Sequence, residues 1–569
     1  VVVTRRNTKK SDPDQGANYL IRQIEQLQQL SADYRRTFLG DDFFNETRNF
    51  YNMSLNQTSR SPSFRPRIEI PQLQMFTCTE ASDLADADPK IYIVHDPQGS
   101  KPRRDKRREK GFQAQWREGF FNLQIMYASL WSLLAGNGYL QVGFDRFANY
   151  GRGRVWVMSR DPETVYPDPA AINDEDWHYL IYTDRMYPDQ VRNLFPDRGR
   201  HVHAAPPSVI KDAGSTTSMT PTMIMPPGPM STVGGMPDDR MGIGDGRVQV
   251  RVLLIKDPTV QEVVRERGGT DEEKQIDKLL PTKFEKKWPN GRMIVDCDGV
   301  ILFDGDNPYP RQKFNLVRIC GLPPLNSFYA PPPVRVSRNL QETSQRMLVQ
   351  AFENAVRLNN GVWFIDEATG LSAEDFGGIP AEVRVIAANA RYPELKLPRP
   401  FPPQFIEYPK LLLQLQKELQ GFPDSRQGKQ GSGNVSVDLY SEAVFHAQSL
   451  TRLRAKLMAE SVYKVAEQVF YLMAAYYHDI HFVDFAQDFE LVPWERVEKA
   501  DEWRLYLDPG SIRPISAMAL NKLAMALKDK HMIDDRTALD WMNVPGADEI
   551  ADKLDAERQL EALARIKKH

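Results

Sequence analysis

The sequence predicts an α+β chain, and three observations carry that expectation. Residues 18–39 place Leu20, Ile21, Ile24, Leu27, Leu30 and Tyr34 three and four positions apart, the period of an amphipathic helix. Between about 139 and 302, short apolar runs alternate with Gly, Pro, Asn and Asp, which is the punctuation of strands and turns. From Val437 to about His478 there is neither Gly nor Pro, so one uninterrupted helix of roughly 60 Å is expected there.

The remaining elements follow in order. A helix-like run from Ile70 to Leu84 is stopped by Pro89, which also sets Ile91–Val94 extended. A second long helix is expected from Lys106 to Leu134, halted by Gly136 and Gly138 ahead of a strand at Tyr139–Phe144. Arg154–Met158 reads as a strand, Asp161–Pro169 as turns, Trp177–Thr183 as a strand, and Pro188–Leu194 as a helix with proline in its first turn. Residues 204–246 are rich in Pro, Gly, Ser, Thr and Met with few large aliphatics, the composition of a surface insertion with too little apolar area to offset its ordering entropy. Strands resume at Val248–Ile255 and Lys283–Leu302, with Pro289-Asn290-Gly291 as a hairpin turn.

Prolines crowd the stretch from Pro323 to Pro333, an extended connector that marks a boundary. Beyond it, Val336, Leu340, Met347, Ala351, Ala355 and Leu358 share one helical face, and Arg335, Arg338, Glu342, Arg346, Glu353 and Arg357 share another. Asn359-Asn360-Gly361 ends that helix, and a small unit follows with strand candidates Val362–Ile365 and Glu382–Ile386. A second helix starts near Tyr408 and stops at Gly421, before the glycine-rich stretch 423–434. In the long helix after it, Leu439, Val444, Leu450, Leu453, Leu457, Val465, Val469 and Phe470 are the expected packing stripe. Three helical patterns, 514–530, 534–542 and 547–567, complete the reading.

Composition narrows the function. Lys plus Arg number 73 against 76 Asp plus Glu, a net charge of -3, so the chain lacks the basic footprint of a protein that coats nucleic acid. Cys78, Cys297 and Cys320 have no zinc or disulfide spacing, which favours a reducing compartment. The most apolar window, Ile125–Phe144, is interrupted by Ser129, Ser132, Gly136, Asn137, Gly138 and Gln141, so no membrane span is expected. Arg5, Arg6, Lys9 and Lys10, with no apolar run behind them, read as a polar arm rather than a signal peptide.

Catalytic motifs are weak. Gly428-Lys429 lacks the earlier glycine and following Ser/Thr of a phosphate-cradling loop. His478, His481 and Asp484 read as a polar helix end more readily than as metal ligands. Asp296, Asp298, Asp304 and Asp306 lack the acid spacing of a calcium loop and read as two acidic turns. A metal-dependent phosphoesterase built on that cluster is the competing enzymatic reading. No catalytic residue, metal site or cofactor is expected.

The order of a two-faced helix, small insert, second helix, glycine-rich loop, very long helix and helical C-terminus resembles the portal, or head-to-tail connector, protein of tailed bacteriophages. The local words that carry the resemblance are Asp88-Pro-Lys-Ile-Tyr-Ile93, Leu134-Ala-Gly-Asn-Gly-Tyr-Leu140, Asp161-Pro-Glu-Thr-Val-Tyr-Pro-Asp-Pro169, Asp508-Pro-Gly-Ser511 with Pro514, His531-Met-Ile-Asp-Asp535 and Trp541-Met-Asn-Val-Pro-Gly546. The resemblance implies a mixed α/β wing over 1–333, stem helices at 334–360 and 406–422, a small α/β clip at 361–405, a tunnel loop at 423–437, a long wing helix with its following segment at 438–507, and a helical crown at 508–569. The insertion at 204–246 departs from the usual pattern. It further implies a dodecameric ring at one capsid vertex of the virion, assembled in the host cytoplasm with major capsid and scaffolding proteins. The large terminase packaging motor docks on the clip and tail adaptor proteins replace it, while double-stranded DNA passes through the channel. A ring scaffold outside any virus is the other alternative.

A conduit should not grip its cargo, because neutralising many phosphates would stall motion, and near-neutral composition suits that role. The residues expected to meet DNA are Arg426 and Lys429 in the loop and Arg338, Arg346 and Lys417 on the two helices. Arg338, Glu342 and Arg346 form an i, i+4 ladder that suits either a solvated face or a tunnel wall. Replacing Arg426 and Lys429 with Ala should leave assembly intact, since the loop has no large apolar residue to pack, and should reduce full-length genome per particle in complemented phage. Normal packaging would make the segment a linker.

Overall fold

Helices α1 (Pro13–Leu39) and α2 (Phe43–Tyr51) begin the fold in the computed structural model, which describes 13–52, 70–85, 89–95, 103–148, 153–202, 247–263, 283–309, 313–325, 327–359, 362–364, 394–396, 404–421, 449–477, 480–485, 488–493, 503–507 and most of 527–542, with a few single positions beside these. There follow α3 (Gln72–Ala85), β1 (Ile91–His95), β2 (Arg103–Arg104), α4 (Lys106–Glu118), α5 (Phe121–Ala135), β3 (Asn137–Asp145), β4 (Arg154–Arg160), β5 (Val165–Pro167), β6 (Tyr179–Met186) and α6 (Pro188–Leu194). Then come β7 (Val248–Ile255), β8 (Val260–Val263), β9 (Lys283–Lys286), β10 (Arg292–Cys297), β11 (Val300–Asp306), β12 (Leu316–Cys320) and α7 (Val334–Asn359). The rest are β13 (Val362–Phe364), β14 (Glu394–Lys396), α8 (Gln404–Gln420), α9 (Ser449–Tyr476), β15 (Ile480–Phe485), β16 (Asp488–Pro493), β17 (Trp503–Leu507) and α10 (Asp535–Trp541).

The chain is mixed α and β, and every described ladder is antiparallel, an α+β arrangement. The largest sheet has the order β11-β10-β7-β6-β5, and two three-stranded sheets have the orders β12-β3-β4 and β17-β1-β2. The large sheet is covered on both faces. Ile21 and Ile24 of α1 pack on Tyr179, Ile181 and Leu253, while Leu180, Tyr182, Val250 and Leu254 face Trp177, Phe314 and Phe328. That division follows the period of two along β6 and β7. A second core joins α3, α4 and α5 to β3, β4, β12 and α9.

Several expectations needed correction. The helix expected over Lys106–Leu134 is two helices, broken at Gly119-Phe120, where Phe120 is left-handed at φ 51 and exposed. The break turns Phe121 into the core beside Trp116, and Trp116 Nε1 spans it by donating to Asn122 Oδ1 at 2.8 Å. Pro289-Asn290-Gly291 is not a hairpin turn, because β9 pairs with β8 whereas β10 pairs with β7 and β11. The hairpin turn is Asp298-Gly299, with φ of 44 and 87, the two left-handed residues that match the twist of paired strands. Strand β13 pairs with β14, and the strand candidate 382–386 lies outside the described residues. Strands β15, β16 and β17 occupy a region where no strand was expected, and β17 returns to pair with β1.

The described part of the long helix is α9, 28 residues or about 42 Å, and 437–448 lie outside the description. So do the insertion 204–246, the loop 423–437, most of 361–405 and much of 508–569. In α9 the expected stripe holds at Val465, Val469 and Phe470 but not in the first turns, where Leu453 is exposed and Thr451 and Arg454 are buried. The reason is an ion pair. Arg454 Nη1 donates to Glu80 Oε1 at 3.0 Å and Thr451 Oγ1 donates to Glu80 Oε2 at 3.1 Å, with Glu80 only 1% and Arg454 3% exposed.

Removing one member of that pair strands a charge in the core. Glu80→Ala should therefore cost about 3–5 kcal/mol of stability, read as a drop in the urea or thermal unfolding midpoint, and Glu80→Leu with Arg454→Met should recover most of it. A Glu80→Ala midpoint equal to that of the unsubstituted protein would remove this pair from the account.

Candidate functional site

Helices α7 and α8 are the elements on which the resemblance places a DNA channel, and their seam is polar. Ser337, Gln341 and Ser344 of α7 are buried against Gln416 and Gln420 of α8. Gln416 Nε2 donates to Gln341 Oε1 at 3.2 Å, Gln420 Nε2 donates to Ser337 Oγ and to the Pro333 carbonyl, and Ser344 Oγ donates to the Pro409 carbonyl at 3.5 Å. The seam is tied to the rest of the chain at Gln341, whose Nε2 donates to the Ile70 carbonyl at 2.6 Å and whose Oε1 accepts from Leu73 N at 3.0 Å, the first turn of α3.

This differs from the expected apolar face of α7. Leu340, Met347 and Ala351 are only half-buried and Ala355 is exposed; the side chains of Val336 and Leu358 lie outside the description. The signal that was missed is present in the sequence as Ser337, Gln341 and Gln345, four apart, opposite Gln416 and Gln420, also four apart. The exposed row of α7 is Arg335, Asn339, Thr343, Arg346 and Gln350, while α8 exposes Tyr408, Leu411, Leu415 and Leu419 at spacings of three and four.

The candidate DNA-facing side chains fall into three groups. Arg338 is held in place: its Nε donates to Glu342 Oε1 at 3.0 Å, its Nη1 to Glu46 Oε2 at 2.8 Å on α2, and its guanidinium lies over the Phe50 ring. Burial works to lower its pKa, and the Glu46 and Glu342 carboxylates outweigh it and raise the value. Arg346 is 81% exposed, with Glu342 Oε2 3.8 Å away, so it points a loosely held charge outward. Lys417 is half-buried on α8. Arg426 and Lys429 lie outside the described residues.

The carboxylates of the competing enzymatic reading do not converge. Asp296 is fully buried and accepts two bonds from Arg251 at 2.5 and 2.9 Å, yet burial still leaves its pKa raised. Asp304 forms a two-pronged pair with Arg292 at 2.7 and 2.9 Å, Asp306 accepts from Asn290, and Asp298 sits exposed in the hairpin turn. Among the described residues no group of three metal-ligating side chains is assembled. Nor, among them, is any helix long and apolar enough to cross a membrane.

A cavity of about 400 Å³ opens between the 174–175 turn and α9. Its lysines are already engaged: Lys464 with Asp174 at 2.9 Å and Glu460 at 3.0 Å, Lys313 with Glu467 at 2.5 Å, and Lys256 with the Glu175 carbonyl at 2.6 Å. It reads as an ion-paired cleft that clamps α9.

No protein-family profile matches the chain, and comparison with curated proteins returns no relative.

The two arginines of the α7 ladder are distinguished by stability. Arg338→Ala should cost about 1 kcal/mol, since it releases α2 from α7. Arg346→Ala should stay within about 0.5 kcal/mol. Thermal unfolding of both variants is the measurement, and a larger loss for Arg346→Ala would reverse the assignment.

Proposed function

We propose that the chain is the subunit of a ring-shaped conduit, a portal protein through which double-stranded DNA is packaged into and ejected from a phage capsid. The observation that carries the reading is the exposed stripe on α8. Leu411 and Leu419 are each 54% exposed, Leu415 41% and Tyr408 50%, and helical spacing places them on one face. The polar seam with α7 occupies a different side of α8, so the stripe is not the inner face of the pair.

Burying one such leucine is worth about 1.5–3 kcal/mol, and contiguous exposed apolar patches of this kind mark association surfaces. A second copy of the chain is the natural cover. Where the covering patch differs from the stripe, the contact is head-to-tail, and repeating it closes a ring when the rotation between copies is a whole fraction of a turn. In such a ring the row Arg335, Asn339, Thr343, Arg346 and Gln350 supplies a polar, sparsely charged lining, which screens and lubricates a passing duplex without holding it. The order of elements along the chain supports the same reading. On it the chain is a structural component without catalysis of its own. It exchanges the packaging motor for tail adaptor proteins at the unit between α7 and α8.

Leu411→Glu with Leu415→Glu should leave the helical content unchanged and convert the assembled protein to monomer, measured by sedimentation and circular dichroism. Negative-stain images of the unsubstituted protein should show rings with a central hole. A monomer or a closed dimer in its place would overturn the reading.

A further inference from the structure

We infer that α8 slides along α7 between two registers one helical turn apart, and that the buried amide seam is the track. In the observed register Ser337 faces Gln420 and Gln341 faces Gln416. Displacing α8 by four residues toward the C-terminal end of α7, about 6 Å at 1.5 Å per residue, sets Gln420 against Gln341 and Gln416 against Gln345. The same amide chemistry then meets at both rungs.

Three features of the structure support this. The buried residues at the centre of the seam are polar and hydrogen-bonded across it, while Leu340, Leu348, Leu412 and Leu413 are only half-buried. An apolar interdigitated seam resists such a step because each displaced knob leaves a void, whereas a ladder of like donors and acceptors repeats after one turn. Gln416 Oε1 is buried with no hydrogen-bond partner, an unfavourable state in the observed register. In the displaced register the Gln345 amide, which now donates to the Ile70 carbonyl at 3.3 Å, is placed to donate to it. Against this, the Gln420 bonds to Ser337 and to the Pro333 carbonyl, the Ser344 bond to the Pro409 carbonyl and the Gln345 bond to the Ile70 carbonyl are given up, so each register satisfies a group that the other leaves wanting.

The track links two places. The middle of the seam at Gln341 bonds Leu73 of α3 and Ile70 ahead of it, and α8 stops at Gly421, beside Leu450 at the start of α9. A step of α8 therefore carries Gly421 along α7 relative to Gln341 and the start of α3. The inference rests on the geometry of one chain and stands whether or not the chain forms rings.

Disulfide trapping in the full-length protein tests it, in a Cys78→Ser background because Cys78 is exposed. Three double-cysteine variants are compared: Ser337→Cys with Gln420→Cys for the observed register, Gln341→Cys with Gln420→Cys for the displaced one, and Ser337→Cys with Gln416→Cys as a control displaced the opposite way. Intramolecular cross-links are separated by mass from those between copies, so the outcome does not depend on the oligomeric state. The displaced pair should oxidise at about 1–10% of the rate of the observed pair, as a minor register of that population would, and well above the control. A displaced pair no faster than the control overturns the inference.

Because those variants alter the seam, spin labels on exposed Arg335 and Lys410 read it intact, with labelled protein diluted into unlabelled. Two distance populations several ångströms apart are expected, and Gln416→Leu should abolish the longer one. A single population in the unsubstituted seam overturns the inference as well.

Discussion

Burial of α9 against the β12-β3-β4 sheet is the constraint on which the rest of the structure depends. Val465, Val469 and Phe470 are fully buried there, and the contact is oriented by polar pins along it. Ser461 Oγ donates to the Arg318 carbonyl at 2.7 Å and Gln468 Nε2 to the Phe314 carbonyl at 2.9 Å, both on or beside β12. Just past the helix, the Tyr477 hydroxyl accepts from Val155 N and donates to Gln115 Oε1, and burial pushes its pKa up to about 12. With α9 seated, β17 can close on β1, and residues more than four hundred positions apart become neighbours in one sheet. Without α9, one face of β3, β4 and β12 would be open to water.

Polar groups fix how the helices sit, while apolar area drives them together. The Glu80–Arg454 pair sets α3 against α9, Arg338 ties α7 to α2, and the amide seam sets α8 against α7. Buried polar contacts of this kind add little net stability compared with apolar replacements, and they select among packings by penalising every register in which a partner is missing. In the α7–α8 seam the selection is weaker, since the amides recur at one-turn intervals. The apolar residues of α8 are left facing outward, where a second copy of the chain covers them in the proposed ring.

Two of the local words have a physical meaning in the fold. In Leu134-Ala-Gly-Asn-Gly-Tyr-Leu140, a Cβ on Gly136 would lie 2.1 Å from the Ala330 carbonyl oxygen and one on Gly138 1.9 Å from that of Ala128. Asn137 between them bonds the Phe328 carbonyl and the Ala330 amide, so the word is a docking point for the proline-rich connector. In Asp161–Pro169, Asp161 accepts from Glu163 N and, with Glu163, pairs with Arg48 at 2.5 and 2.6 Å. Arg35 donates to the carbonyls of Pro162, Glu163 and Val165. The word is therefore a turn read by α1 and α2.

Local chemistry by itself determined the extents of α6, β7 and α7 and the C-terminal end of α1, whose start lies five residues before the expected one, because helical period, proline in a first turn and alternation of burial act over a few residues. It also determined the mixed composition of helix and strand and the left-handed demands of Gly136. It did not reveal the break at Phe120, the strands after α9 or the true partner of β10, since each depends on a surface contributed from far along the chain. The sharpest failure was the inner face of α7. Ser337 and Gln341 carry no hydrophobic signal, and their burial is favourable only because Gln416 and Gln420 supply matching donors and acceptors from the other helix. Apolar burial can be read one residue at a time, whereas a buried polar group is decided by its partner, and the partner is known only once the chain has folded.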